Sequence, residues 1–278
     1  MKAPRSLLYV PAASPSMLQK IPSLAADAFV VDLEDGISAQ QKESARELLR
    51  EAAAARLIPE NVPWMLRVNG VGSAGHEDDL SLAEALHPPL VLVPKAEDPE
   101  EVCDLADWFS GHGSGTALMI ETARGVAAAR ELAACHERIA ALVVGSADLR
   151  MSLRARPDDE RGWERHALGE ILLAARASDV LAIDSVYFRF RDDEGLRRHA
   201  SIARGMGYDG KSCIHPSQIP VIHEVFAPTM DELGWARRVV DAWRTLDGER
   251  RGVLVVDGEM IEALHVTVAA RILERSGA

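Results

Sequence analysis

Charged side chains follow several short apolar segments of this sequence, at the points where those segments end. Arg67 follows Trp-Met-Leu, Lys95 follows Val-Leu-Val-Pro, Glu121 follows Ala-Leu-Met-Ile, and Asp148 follows Val-Val-Gly-Ser-Ala. A charged group directly after a buried apolar run is costly unless it is paired or binds a metal ion. The spacing therefore predicts that these side chains meet in one polar site.

Two of the carboxylates, Glu121 and Asp148, are candidate ligands of a metal ion. They follow consecutive predicted strands, so their side chains can converge. Mg²⁺ is held in proteins by one or two carboxylates and keeps water ligands that a substrate can replace. No histidine cluster follows the apolar segments, and His76, His112 and His136 are expected to be solvated. The pattern favours Mg²⁺ as the cofactor.

A second acidic pair leaves an alternative open. Glu34 and Asp35 follow a predicted strand that ends Val-Val-Asp-Leu. They could supply the metal ligands themselves, or they could form ion pairs with Lys95 and Lys211. Residue type and position leave both arrangements possible.

Arg67 indicates what a metal at this site would bind. Its guanidinium has the fork shape that matches a carboxylate through two parallel hydrogen bonds. A metal beside such an arginine is a suitable receptor for a 2-oxo acid, because the metal can chelate the keto oxygen and one carboxylate oxygen. As a Lewis acid, the metal would also stabilise an enolate.

Short apolar segments alternate with longer helical segments along most of the chain. Near-continuous apolar runs such as Leu-Val-Leu-Val at 90–93 are typical of strands buried on both faces of a parallel sheet. The predicted strands are residues 6–11, 28–33, 64–68, 90–94, 117–120, 141–144, 181–186 and 210–214. Eight such strands favour an α/β fold, the TIM (β/α)8 barrel, with its chemistry at the carboxyl ends of the strands. The first strand lacks the glycine fingerprint of a doubly wound nucleotide-binding fold.

The tail of the chain departs from this alternation. Helices are predicted between the strands at 40–55, 80–85, 99–109, 125–135, 161–177 and 193–206. After the eighth strand the sequence predicts a helix at 231–246, a short strand at 253–256 and a final helix at 259–274. The expected organisation is a barrel over residues 1–226 and a C-terminal helical and hairpin extension over 227–278, serving as a lid or an oligomer arm.

Composition argues against several classes of function. The 278 residues carry a net charge of −12 and no basic stripe, so a nucleic-acid partner is not expected. Cys103, Cys135 and Cys213 are widely spaced, which is typical of reduced thiols rather than a zinc site. No apolar run is long enough to span a membrane and no signal peptide is evident, so a cytoplasmic protein is expected.

Seven short motifs at strand ends occur in order along nearly the whole chain. They are Arg-Ser-Leu-Leu-Tyr-Val-Pro at 5–11, Asp-Leu-Glu-Asp at 32–35, Arg-Val-Asn at 67–69, Pro-Lys-Ala-Glu at 94–97, Ile-Glu-Thr at 120–122, Ala-Ile-Asp at 182–184, and Gly-Lys at 210–211 with Ile-His-Pro-Ser-Gln at 214–218. Together they resemble the citrate lyase β-subunit family, which belongs with the malyl-CoA lyase-like enzymes of the HpcH/HpaI aldolase superfamily.

The resemblance implies a Mg²⁺-dependent lyase on a TIM barrel, usually a homotrimer. Such enzymes cleave a 3-hydroxy-acyl thioester, carried on CoA or an acyl carrier protein, into an acetyl-type thioester and a 2-oxo acid such as oxaloacetate or glyoxylate. By position, Glu121 and Asp148 would be the metal ligands, and Arg67 would bind the carboxylate of the oxo acid. Glu121 would also lie against the substrate.

The resemblance implies further roles and shows two departures. Glu34, Asp35 and Lys95 would form a supporting charge network. The family commonly has a glycine followed by polar or basic residues after the first strand, before a proline, where this chain has Ala-Ala-Ser-Pro at 12–15. The family's catalytic acid/base is an aspartate in the tail that reaches a neighbouring subunit, and here Glu262 takes that position.

Two other functions remain as alternatives on the same scaffold. One is an acyl-CoA thioester hydrolase. The other is a non-catalytic β-like subunit that binds an oxo acid or partner subunits.

Overall fold

Seven mainly apolar segments and the segment Gly-Lys-Ser-Cys form eight parallel strands that close into a barrel. Each strand pairs with the next in sequence, and the eighth pairs with the first. The strands are β1 (Ser6–Pro11), β2 (Ala28–Asp32), β3 (Trp64–Arg67), β4 (Leu90–Val93), β5 (Gly115–Ile120), β6 (Ile139–Val144), β7 (Leu181–Asp184) and β8 (Gly210–Cys213). The computed structural model describes residues 3–58, 62–158, 160–245 and 252–276. This closed barrel confirms the predicted TIM fold.

The register of the strands places polar residues together at one end of the barrel. Pro11 on β1 lies opposite Asp32 on β2, and Asp32 lies opposite Arg67 on β3. Below this level the interior is filled by buried aliphatic side chains, among them Val30 and Leu92. The barrel centre is therefore a packed core, and the functional surface lies at the carboxyl ends of its strands.

Helices follow the strands and cover the outside of the barrel. They are α1 (Pro15–Leu18), α2 (Lys42–Ala54), α3 (His76–Leu86), α4 (Pro99–Gly111), α5 (Ala123–Ala127), α6 (Ala129–Ala134), α7 (Ser146–Ser152), α8 (Arg165–Ala177), α9 (Asp193–Met206) and α10 (Ile219–Phe226). Asp98 caps α4 by accepting hydrogen bonds from the N–H groups of Glu100 and Glu101. Among the described helices, none combines the length and hydropathy needed to cross a bilayer.

Three helices differ by several residues from their predicted extents. The helix predicted at 80–85 spans His76–Leu86. The helix predicted at 161–177 begins at Arg165, because Arg161 has a φ of 60° and cannot belong to a right-handed helix. The helix predicted at 125–135 is divided into α5 and α6 at Ala128, whose ψ of 5° is not helical.

The chain divides into two compact units, Met1–Val225 and Phe226–Ala278. The second contains α11 (Met230–Thr245), β9 (Val253–Val256), β10 (Glu259–Glu262) and α12 (Ala263–Ser276). The predicted final helix at 259–274 was wrong at its start, since residues 259–262 form a strand antiparallel to β9. Asp257 and Gly258, both at positive φ, make the tight turn that returns the chain. Leu246, the end of the helix predicted at 231–246, lies outside the described residues.

Candidate active site

A cavity of about 440 Å³ opens at the carboxyl ends of the barrel strands. Its wall includes Asp32, Arg67, Glu121 and Asp148, and Tyr9 from β1 also contributes. These residues come from five separate strands or the loops directly after them. The fold thus brings together groups that are distant in sequence, as the strand-end pattern predicted.

Arg67 and Asp32 form the most tightly held pair in the cavity. Arg67 Nε donates to Asp32 Oδ1 at 2.6 Å, and Nη2 donates to Asp32 Oδ2 at 2.7 Å. Both side chains are almost fully buried, and the guanidinium carbon lies 5.2 Å from the centroid of the Tyr9 ring. Two parallel bonds and a ring face fix the plane of the guanidinium.

The remaining end of Arg67 faces a second carboxylate. Its Nη1 lies 2.7 Å from Glu34 Oε2, at ion-pair distance but without the alignment of a hydrogen bond. Glu34 Oε1 accepts a hydrogen bond from Lys95 Nζ at 2.6 Å. Asp35 is exposed and lies 3.5 Å from the same Nη1. Glu34 is therefore shared between two cations, and Arg67 has no fully free edge.

Glu121 is a buried carboxyl among like charges. It is 3% exposed, and its Oε1 accepts a hydrogen bond from the backbone N–H of Lys95 at 2.9 Å. Burial, together with the charges of Glu34 and Asp148, raises the pKa of Glu121 to about 8. A carboxyl in this position has a strong electrostatic preference for a nearby cation.

A glycine makes room for Glu121. A Cβ at Gly145 would lie 2.4 Å from Glu121 Oε2 and 2.6 Å from Glu121 Cβ, which is closer than real atoms approach. Gly145 directly precedes α7, whose first turn carries Asp148. Asp148 is partly exposed to the cavity, and its Oδ2 lies 3.8 Å from Lys95 Nζ.

The charges around the cavity suit a divalent cation that retains water ligands. Among the described residues, five carboxylates lie around the cavity and their ion pairs there are with two cationic side chains, Arg67 and Lys95. The carboxylates are those of Asp32, Glu34, Asp35, Glu121 and Asp148. Within the described residues, no three His, Cys, Asp or Glu side chains are arranged to hold a metal ion by themselves. Two carboxylates beside open space are the donor set of Mg²⁺.

A comparison with protein families identifies the family of this chain. The sequence model of the family described as HpcH/HpaI aldolase/citrate lyase matches residues 5–216. This chain belongs to the HpcH/HpaI aldolase/citrate lyase family. That result confirms the resemblance carried by the strand-end motifs.

Several relatives match nearly the whole chain. The (3S)-malyl-CoA thioesterase of Cereibacter sphaeroides is 36% identical over 274 residues, covering 99% of this chain and 95% of that protein. The mitochondrial citramalyl-CoA lyase of Homo sapiens is 34% identical over 279 residues, covering 93% and 81%. The crystal structure of CitE from Mycobacterium tuberculosis, in complex with magnesium, acetoacetate and coenzyme A, is similar with a TM-score of 0.84 and 36% identity, covering 99% of both chains.

The structure of this HpcH/HpaI family member gathers six of the seven residues singled out from the sequence. Arg67, Asp35, Glu121 and Asp148 line the central cavity. Glu34 and Lys95 line an adjacent cavity of about 550 Å³ and reach the central residues through their ion pairs. The seventh is Glu262 at the end of β10 in the second unit, where its N–H donates to His265 Nδ1.

Lys211 does not pair with Glu34 or Asp35, which was one of the arrangements left open. It is fully buried and donates to Asp184 Oδ2 at 2.7 Å. Strand pairing explains this, since Lys211 on β8 lies opposite Asp184 on β7.

The sequence did not predict the role of Asp32 or the burial of His76. Asp32 was part of the Asp-Leu-Glu-Asp motif but was given no role, yet its bidentate bond positions Arg67. The signal was the alternation Asp-Leu-Glu at 32–34, which places both acids on one side of the chain. His76 was expected to be solvated, but it is 5% exposed and its Nδ1 lies 2.8 Å from the Asn69 carbonyl oxygen.

Proposed function

We propose that this protein is a Mg²⁺-dependent carbon–carbon lyase that cleaves or forms a 3-hydroxy-acyl thioester. The products of cleavage are an acetyl-type thioester and a 2-oxo acid such as oxaloacetate or glyoxylate. The observation that carries the proposal is the placement of Glu121 and Asp148 beside the fixed guanidinium of Arg67 in one cavity. A cation site next to an oriented arginine fits a 2-oxo acid, which offers a keto oxygen and a carboxylate.

The proposed role of Arg67 is to bind the carboxylate of the oxo acid. Its Nε–Nη2 edge is occupied by Asp32, so the substrate would approach through Nη1. There it replaces Glu34 and Asp35, which lie 2.7 and 3.5 Å from Nη1. Lys95 donates to the other oxygen of the Glu34 carboxyl, so Glu34 keeps a cationic partner when the substrate replaces it at Arg67 Nη1.

Glu121 and Asp148 are the proposed ligands of Mg²⁺. When bound, the ion supplies Lewis-acid polarisation of the keto oxygen. The chain holds Glu121 in place through the Lys95 N–H and through the space left by Gly145.

Cleavage requires two proton movements that carboxylates can perform. A base takes the proton of the 3-hydroxyl, and the bond between C2 and C3 breaks to give the oxo acid and the thioester enolate. The enolate then takes a proton at C2 to give the acetyl-type thioester. Glu262 is the proposed acid/base for this exchange.

A thioester hydrolase is the second candidate function, favoured by the 36% identity to the malyl-CoA thioesterase of Cereibacter sphaeroides. In that reaction water attacks the thioester carbonyl, releasing a free thiol and a hydroxy acid. The same cavity could hold the hydroxy acid end through Arg67. The two reactions differ in products, since only the lyase forms an oxo acid.

The test is a turnover screen with citryl-CoA, malyl-CoA and citramalyl-CoA, with Mg²⁺ and with a chelator. The lyase predicts an oxo acid and a shorter acyl-CoA in equal amounts, dependent on Mg²⁺. Glu121→Gln should abolish this turnover, and Glu100→Gln, an exposed carboxyl on α4, should leave it unchanged. Free CoA without oxo acid favours the hydrolase, and oxo-acid binding without turnover favours a non-catalytic subunit.

We also infer that the protein assembles as a homotrimer through its C-terminal unit. That unit exposes Val255, Met260, Leu264 and Val268, with exposed fractions from 45% to 71%. Exposed apolar side chains in one small unit are typical of a surface that is covered by another chain. Sedimentation velocity would give a species of three times 30.2 kDa, and a monomer at micromolar concentration would contradict the inference.

A further inference from the structure

A second cavity, of about 200 Å³, lies beside the candidate active site and has a different chemical character. It is bounded by α7, the segment before α8, the loop after β7, and α9. Ser146, Ala147, Val186 and Phe188 line both this cleft and the central cavity. None of the residues proposed for the lyase reaction lines it.

The inner wall of the cleft contains a buried acceptor without a partner. Glu164 is 2% exposed, and its Oε1 accepts a hydrogen bond from Arg161 Nε at 2.6 Å. Its Oε2 is buried and has no hydrogen-bond donor within the described part of the chain. A buried carboxylate oxygen without a donor costs free energy, so the site gains from a ligand that donates there.

A possible donor, His199, lies near the carboxyl group of Glu164. His199 Nδ1 lies 2.8 Å from Lys211 Nζ, and an ammonium group can only donate, so Nδ1 is the acceptor. Burial and the charge of Lys211 lower the pKa of His199, which keeps the ring neutral with its proton on Nε2. That Nε2 lies 3.9 Å from Glu164 Oε1, too far for a hydrogen bond.

The rim of the cleft carries three arginines, of which Arg189 lies 3.6 Å from Asp192 and Arg198 lies 3.5 Å from Glu194 at the exposed surface. The three are Arg150, Arg189 and Arg198. Among the described residues that line the cleft, Asp158 and Glu164 are the only acidic ones. Asp158 is engaged with backbone N–H groups of its own loop, at 2.9 Å from Gly162 N. Carboxylate or phosphate groups are the natural partners of such a set of guanidinium groups.

We propose that this cleft is a binding site for a small hydroxy acid, separate from the candidate active site. The hydroxyl accepts a hydrogen bond from His199 Nε2–H and donates one to Glu164 Oε2. The carboxylate groups bind the rim arginines. A hydroxyl is the simplest group that both accepts and donates, and its attachment to an anion matches the rim. The site does not depend on the proposed lyase activity.

The test uses two ligands that differ only by the hydroxyl, malate and succinate. Isothermal titration calorimetry of the full chain, with a chelator present, should show saturable binding of malate about tenfold tighter than succinate, equivalent to about 1.4 kcal/mol. Arg198→Ala should weaken both ligands at least fivefold, and Arg197→Ala on the same helix, outside the cleft lining, should change neither. Glu164→Gln should reduce the preference for malate.

Arg67→Lys distinguishes the cleft from the candidate active site. Malate binding that persists in this variant supports the cleft, whatever the outcome of the lyase assay. Loss of malate binding in Arg67→Lys, with no effect of Arg198→Ala, would overturn the proposal. Equal affinity for malate and succinate, or no saturable binding, would overturn it as well.

Discussion

Arg67 and Asp32, on neighbouring barrel strands, are joined by two parallel hydrogen bonds of 2.6 and 2.7 Å. Direct register between β2 and β3 sets this pair, so its geometry is a property of the barrel itself. The bond holds a guanidinium at the wall of the cavity with only Nη1 directed at other carboxylates. Asp32 is therefore a positioning residue for the proposed substrate-binding arginine.

Asp32→Asn should misplace Arg67 and leave a buried cation less well paired. We expect a loss of about 3 kcal/mol in the free energy of unfolding, as for breaking other buried pairs. Oxaloacetate affinity should fall at least tenfold. Urea denaturation and a ligand titration measure these effects. Asp35→Asn is the matched control, since Asp35 is exposed and 3.5 Å from Arg67, and it should cost less than 1 kcal/mol.

Mg²⁺ affinity should rise with pH up to about 8. The pKa of Glu121 is raised to about 8 by burial and neighbouring carboxylates, so below that pH a proton must leave before Glu121 can bind the ion. Without Mg²⁺ the folded chain binds more protons at Glu121 than the unfolded chain between about pH 4.5 and 8. The contribution of Glu121 to stability is then present below about pH 4.5 and lost as pH rises towards 8. Calorimetric titrations at pH 6, 7 and 8 measure the affinity, and a flat profile would count against this pKa.

Gly145→Ala should weaken Mg²⁺ binding at least tenfold. The new methyl would overlap Glu121 Oε2 and Cβ, so Glu121 must move or the loop must shift. We expect about 1–3 kcal/mol of destabilisation from the overlap. Gly169→Ala, on α8, is the control because no neighbouring heavy atom lies within 4 Å of its Cβ position. Gly169→Ala should stabilise the chain by about 0.5–1 kcal/mol and leave the Mg²⁺ affinity unchanged. Thermal unfolding with and without Mg²⁺ measures both effects.

The barrel and its polar rim could be predicted because they depend on local patterns. Mainly apolar runs of four to six residues determine the first seven strands, and the charged residue at or after the end of a run is what reaches the rim. The pairing of side chains could not be predicted in the same way. Whether Lys211 pairs with Glu34 or with Asp184 depends on which side of β8 faces the helices. A strand that is buried on both faces has no alternation of polar and apolar residues that would indicate this side.

The tail shows the same limit for secondary structure. Residues 259–262 have a helical composition, and only pairing with β9 across the turn at Asp257 and Gly258 makes them a strand. This tertiary pairing outweighs the local preference of these residues for a helix.

Asp184→Asn should be among the most destabilising single changes in the barrel. Asp184 is fully buried and receives hydrogen bonds from Arg161 at 2.6 and 2.9 Å and from Lys211 at 2.7 Å. Losing the charge leaves two buried cations underpaired, with an expected cost of about 3–5 kcal/mol. Glu194→Gln, an exposed carboxylate 3.5 Å from Arg198, should change the free energy of unfolding by less than 0.5 kcal/mol in the same denaturation assay. Similar costs for both variants would contradict this interpretation of the network.

The most direct test of the central proposal is a single assay that measures oxo acid and free thiol together during turnover of malyl-CoA. The wild-type chain with Mg²⁺ should release glyoxylate and acetyl-CoA in equal amounts, without free thiol. Glu121→Gln or a chelator should stop the formation of both products. Citryl-CoA and citramalyl-CoA, assayed in parallel, should give oxo acids if the preferred acyl group is larger. Free CoA released from any of the three without an oxo acid, or turnover that persists without Mg²⁺, would contradict the lyase proposal.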